Sequence, residues 1–95
     1  MAKLEKKGTT ILARWRKDTE TPDDDLVSSR TMKYAVRSDG TILQCYSARF
    51  RSETGNHSWG WKVFGKVSKG IDLPNYSSQL GETLEAKGFQ RESVT

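Results

Sequence analysis

Four stretches of this chain alternate between apolar and polar residues, the period of a half-buried strand. One repeats its apolar residues every four positions, the period of a helix. The first stretch, Thr9-Thr10-Ile11-Leu12-Ala13-Arg14-Trp15-Arg16, sets Ile11, Ala13 and Trp15 on one face and Leu12, Arg14 and Arg16 on the other. Thr31 to Ser38 and Thr41 to Arg51 are rich in β-branched and aromatic residues and are separated by Asp39-Gly40. Asp-Gly between such runs predicts a hairpin with a two-residue type I′ turn, since glycine and aspartate tolerate the positive φ it demands. In that register Ser38 faces Thr41, Val36 faces Leu43 and Tyr34 faces Cys45. The core face then carries Met32, Tyr34, Val36, Leu43 and Cys45, and Lys33, Ala35, Arg37, Ile42, Gln44 and Tyr46 lie opposite.

Beyond Tyr46 strict alternation would leave Ala48 and Phe50 on the basic face. A β-bulge near Tyr46 to Ala48 would return them to the core, because one inserted residue resets the register. The less favoured alternative is a sheet with apolar residues on both faces. After a polar turn over 52–58, Trp59 to Val67 reads as a fourth strand. Trp59, Trp61, Val63, Gly65 and Val67 share one face, with Gly60, Lys62, Phe64 and Lys66 opposite.

Tyr76, Leu80 and Leu84 form the stripe of a single helix, with Asn75 as its N-cap. Gly88 suits the left-handed position past the helix end, and Phe89 would touch Leu84 in a Schellman ending. Gly81 weakens the helix interior unless it lets the helix approach the sheet closely. The order is β-β-β-β-α. It predicts an α+β fold: a small antiparallel sheet of about four strands with one C-terminal helix packed on one face.

Length and composition fit one domain. Ninety-five residues with 34% hydrophobic content support one thin core over residues 9–90. A flexible basic N-terminus over 1–8, a polar loop over 18–29 around Pro22-Asp23-Asp24-Asp25, and a frayed tail over 91–95 are expected outside it. A single cysteine, Cys45, excludes an internal disulfide, and no apolar run reads as a signal peptide or a membrane helix. The expected setting is cytoplasmic, with no membrane partner.

Charge adds a direction. Residues 30–70 carry +6, residues 1–29 sum to zero and residues 71–95 carry −2. The positive charge therefore belongs to the predicted sheet, while Glu82 and Glu85 make the helix slightly acidic. Such a segment favours polyanions or acidic protein surfaces.

Catalytic and metal chemistry have little to work with. One histidine and one cysteine cannot supply a zinc site, and the Asp23 to Asp25 run lacks the spacing of a calcium loop. His57 sits in a polar turn, Cys45 points to the core, and the glycines at 60, 65 and 70 open no helix as a phosphate loop would. The expectation is a protein that is not an enzyme, with no cofactor and no metal.

Binding is the positive reading. Arg14, Arg16, Lys33, Arg37, Lys62 and Lys66 alternate away from the predicted core, with Tyr46 among them. Cations neutralise phosphates and a ring stacks on an unpaired base, so these residues are the candidate nucleic-acid site. An ordinary solvated sheet face carries the same residue types to guard against aggregation. In arrangement, a short sheet plus one helix resembles the integrase arm-binding and plant AP2-type domains, which place a sheet in the major groove; no motif is shared residue by residue. The alternative is a small accessory or inhibitory protein that binds a larger protein partner through Trp59, Arg49 and Arg51, tryptophan and arginine being the commonest hot-spot residues.

Overall fold

A computed structural model of the chain describes residues 7–51 and 56–93, and the side chains of 56–59 lie outside the description. Most of the N-terminal segment expected to be flexible, the start of the predicted 52–58 turn, and the last two residues also lie outside it. The strands are β1 (Ile11–Glu20), β2 (Val27–Arg37), β3 (Thr41–Phe50) and β4 (Asn56–Lys66). Helix α1 (Leu73–Ala86) and a short strand β5 (Gln90–Glu92) follow. All pairings are antiparallel, and the sheet order is β4-β3-β2-β1-β5. The α+β architecture is the one read from the sequence, with five strands in place of about four. The fifth is part of the expected frayed tail: after α1 the chain returns to the outer edge of β1 and pairs Arg14 with Glu92 and Arg16 with Gln90.

The polar loop is shorter than expected. β1 runs to Glu20 and β2 starts at Val27, leaving a turn over 21–26. The Asp24 carboxylate accepts from the backbone N–H of Leu26 and Val27 at 2.8 and 2.9 Å, and these bonds depress its pKa. Aspartate in such a turn satisfies backbone donors that a loop would otherwise expose.

The β2–β3 hairpin is present, but its register differs by one residue. Val36 pairs with Ile42, Ala35 with Leu43 and Tyr34 with Gln44. Gly40 has φ of 87°, no described non-glycine residue has positive φ, and Gly40 N–H donates to Arg37 O at 2.9 Å. This is a three-residue loop, a type I turn followed by a left-handed glycine. Only Gly40 must adopt positive φ, whereas the type I′ turn would have imposed it on Asp39 as well.

The shift divides the expected core face. Tyr34 and Val36 now share a side with Ile42, Gln44 and Tyr46, while Leu43 and Cys45 share the other with Lys33, Ala35 and Arg37. The expected bulge at 46–48 is absent: β3 pairs continuously with β2 from Ile42 to Arg49. The irregularities sit in the partner strands, at Ser28 of β2 and in β4 opposite Ile42–Leu43 and Gln44–Tyr46. Apolar residues consequently line both faces of the sheet.

Helix α1 packs on β1 and β5 and covers one face. The core there is Ala13, Trp15, Val36 and Leu84, with Leu12, Tyr34, Leu73, Leu80 and Phe89 against it. An irregularity between Ile11 and Ala13 brings Leu12 to this side despite the simple alternation. Asp72, rather than Asn75, caps the helix, its carboxylate accepting from Asn75 N–H at 3.1 Å. The Schellman ending is as read: Phe89 N–H bonds Leu84 O and Gly88 N–H bonds Glu85 O, each at 3.0 Å, with Gly88 at φ of 97°.

Candidate nucleic-acid interface on the helix-free face

Strand register decides which side chains can act together. Arg14 lies opposite Ala35, Arg16 opposite Lys33, Lys33 opposite Cys45 and Ala35 opposite Leu43. Leu43 lies opposite Val63, and Thr41 opposite Lys66. Because directly opposed residues project to one side, Arg14, Arg16, Lys33, Arg37 and Lys66 share the face away from α1. Arg49, four residues beyond Cys45 on β3 and opposite Ser29, joins them. Tyr46 and Lys62 do not. They pair with Met32 and Gln44 on the helix side, so the expected grouping of all seven residues is corrected. The one-residue hairpin shift and the irregularities in β4 are the cause.

The face is cationic but partly compensated. Arg16 Nε donates to both oxygens of Asp18 at 3.2 and 3.0 Å, so its terminal nitrogens take no part in that pairing. The Thr31 hydroxyl, 2.5 Å from Asp18, and then the Arg16 guanidinium hold the Asp18 carboxyl below the usual carboxylate range. Arg37, only 7% exposed, meets Asp39 through Nε and Nη2, both at 3.0 Å, and donates from Nη2 to the Thr41 hydroxyl at 3.1 Å. That guanidinium keeps Asp39 well below the ordinary carboxylate range. Arg37 is thus committed to the hairpin turn, while Lys66 is exposed and Lys33 half-buried.

At the middle of the face, Ala35 and Leu43 are both 0% exposed although no helix covers them. Arg14 from β1 and Trp61 from β4 close over this gap, the guanidinium lying 5.7 Å from the indole centroid. The long stem of arginine shields apolar surface while its head sits on the ring, an arrangement that arginine favours. Arg14 Nε is buried with no hydrogen-bond acceptor, and Oε1 of Glu92, its cross-strand neighbour, is buried with no donor. Trp61 and Val63 share a face, as the alternation in the sequence implies, and it is the one opposite the helix.

Toward the other end, Arg16, Asp18, Glu20, Ser29, Thr31, Ser47 and Arg49 line a shallow groove of about 350 Å³. Compared with protein-family models, curated proteins and solved structures, the chain has no match. The site therefore stands on its own geometry.

The residues expected to meet a protein partner are dispersed. Arg51 donates to the carbonyl oxygens of Asp24 and Thr21 at 2.7 and 2.6 Å, pinning the β1–β2 turn, and Arg49 lines the groove. Trp59 pairs with Tyr46 in β4, and its side chain lies outside the described residues, as does that of His57. More informative is the β4 edge, where Val63 and Phe64 are 59% and 61% exposed. Phe64 meets Tyr34 edge-on at 5.4 Å on the helix side, while Val63 lies on the open side. Among the described residues no helix is long and apolar enough to cross a membrane.

Proposed function

We propose that this chain is a non-enzymatic binding module that contacts nucleic acid through its helix-free sheet face. The observation that carries the reading is the convergence of Arg14, Arg16, Lys33, Arg37, Arg49 and Lys66 on that one face. Asp18, Glu20, Asp39 and Glu92 offset part of this charge. What remains exposed at Lys66, Arg49 and the terminal nitrogens of Arg16 is suited to phosphate oxygens. The Ser29, Thr31 and Ser47 hydroxyls of the groove add neutral partners for the same oxygens.

The test is a salt titration of oligonucleotide binding with wild type and a Lys33→Ala/Lys66→Ala double variant. Affinity should fall linearly in log salt, and each lost phosphate contact should reduce the slope by roughly 0.7–0.9. An identical slope in the double variant, or no binding at low salt, overturns the reading. A second reading, a protein partner adding a strand to β4, is favoured by the paired exposure of Val63 and Phe64 on an open edge.

A further inference from the structure

The shape of the face bears on which form of nucleic acid it would take, an inference that rests on the reading just given. A duplex is read by elements narrow enough to enter its major groove, about 12 Å wide, which admits a helix or a two-stranded ribbon. Five strands at a spacing of about 4.8 Å span roughly 19 Å between the outermost pair. Laid flat, this sheet cannot enter the groove, and the two-edged face offers a duplex only its phosphates. The helix cannot substitute, because Glu82 and Glu85 lie on its exposed side and would repel phosphates.

The centre of the face, in contrast, suits a single base. Trp61 and Arg14 already form a cation–ring pair there, half-buried and floored by Ala35 and Leu43. A nucleobase has the planarity and polarisable surface that the guanidinium and indole both accept. Lys33 beside the pair, Lys66 at one end, and Arg16 and Arg49 at the other provide charge along the path of a strand that crosses it. We infer that the ligand is single-stranded nucleic acid, with one base seated on Trp61 beside Arg14.

The experiment is fluorescence anisotropy at low salt with one labelled oligonucleotide, single-stranded and then annealed to its complement. Wild-type protein should bind the single strand at least tenfold more tightly than the duplex. Trp61→Leu should weaken single-strand binding about tenfold and leave duplex binding unchanged, within the range expected for loss of one stacked base. Trp61→Phe, which keeps a ring, should retain most of the single-strand affinity, and Lys33→Ala should weaken both forms alike. Equal wild-type affinity for the two forms overturns the single-strand assignment and leaves the nucleic-acid reading standing. Unaltered single-strand binding by a folded Trp61→Leu protein overturns the base seat. No binding to either form overturns both. The wild-type comparison does not depend on any variant folding.

Discussion

At the scale of single residues, Gly81 shows how close the helix sits. A Cβ built there would lie 3.0 Å from Trp15 Cζ2 and 3.3 Å from its Nε1. Trp15 is almost wholly buried in the principal core, so it cannot swing away. Gly81→Ala gains about 1 kcal/mol of helix propensity and loses about 1–3 kcal/mol to overpacking. A net fall in thermal stability is the expected outcome. Gly65 is the contrast, with no atom within 4 Å of its would-be Cβ and no positive φ. Gly65→Ala should be neutral or mildly stabilising by at most about 1 kcal/mol. Thermal melts of the two variants check the pair, and an unperturbed Gly81→Ala would refute the contact. The close approach was legible in the sequence as a glycine inside a helical stripe. Its partner was not, because one-dimensional periodicity names a face and not what lies across from it.

At the scale of elements, the sequence revealed each long strand and the helix, and failed where one residue of register decides. Asp39-Gly40 marked the hairpin, yet the type I turn with a left-handed Gly40 moved Leu43 and Cys45 to the face opposite Tyr34 and Val36. Asp72 displaced Asn75 as helix cap, since Pro74 fits the first turn and its missing N–H is not needed there. β5 went unread because three polar residues carry no periodicity, and only the adjacent β1 edge makes them a strand. The hairpin turn yields a pH prediction. Asp39 is held ionised by Arg37 and by Thr41 N–H at 3.0 Å, so its folded pKa lies below its unfolded value. The stabilisation is then fully present above about pH 4, the unfolded value for aspartate, and is lost as pH falls toward the folded pKa. Asp39→Asn should lower stability at pH 7 by about 2 kcal/mol, as expected for a charge-assisted bond to a buried guanidinium. It should also flatten the loss of stability between about pH 4 and pH 2, where the wild-type aspartate gives up its advantage. Denaturant midpoints of both proteins across that range measure the effect. Parallel acid limbs would show that Asp39 does not carry it.

At the scale of the whole molecule, the sequence supplied the sheet's positive charge but not which face the helix leaves open. That choice depends on tertiary packing, and it separates Tyr46 and Lys62 from the other five candidate residues. It also makes stability uneven across the 47 × 29 × 24 Å body. The principal core and the helix lie over β1 and β2, and β5 adds backbone pairing at that end. Among the described residues β4 pairs only with β3, through a ladder with two register shifts, and exposes Val63 and Phe64. An edge strand with little burial opens locally without global unfolding. Amides of residues 60–66 should therefore exchange with deuterium roughly a hundredfold faster than those of Ala13 to Trp15 and Tyr34 to Val36. The proposed base seat draws Trp61 from this less stable strand and Arg14 from the most stable part of the sheet. A single-stranded oligonucleotide seated on both should slow exchange in β4 and leave the already protected β1 and β2 amides almost unchanged. Hydrogen exchange followed by mass spectrometry, with and without the oligonucleotide, tests this directly. Uniform exchange across the sheet in the free protein would contradict the uneven stability, and a bound oligonucleotide that leaves β4 unprotected would move the seat away from Trp61.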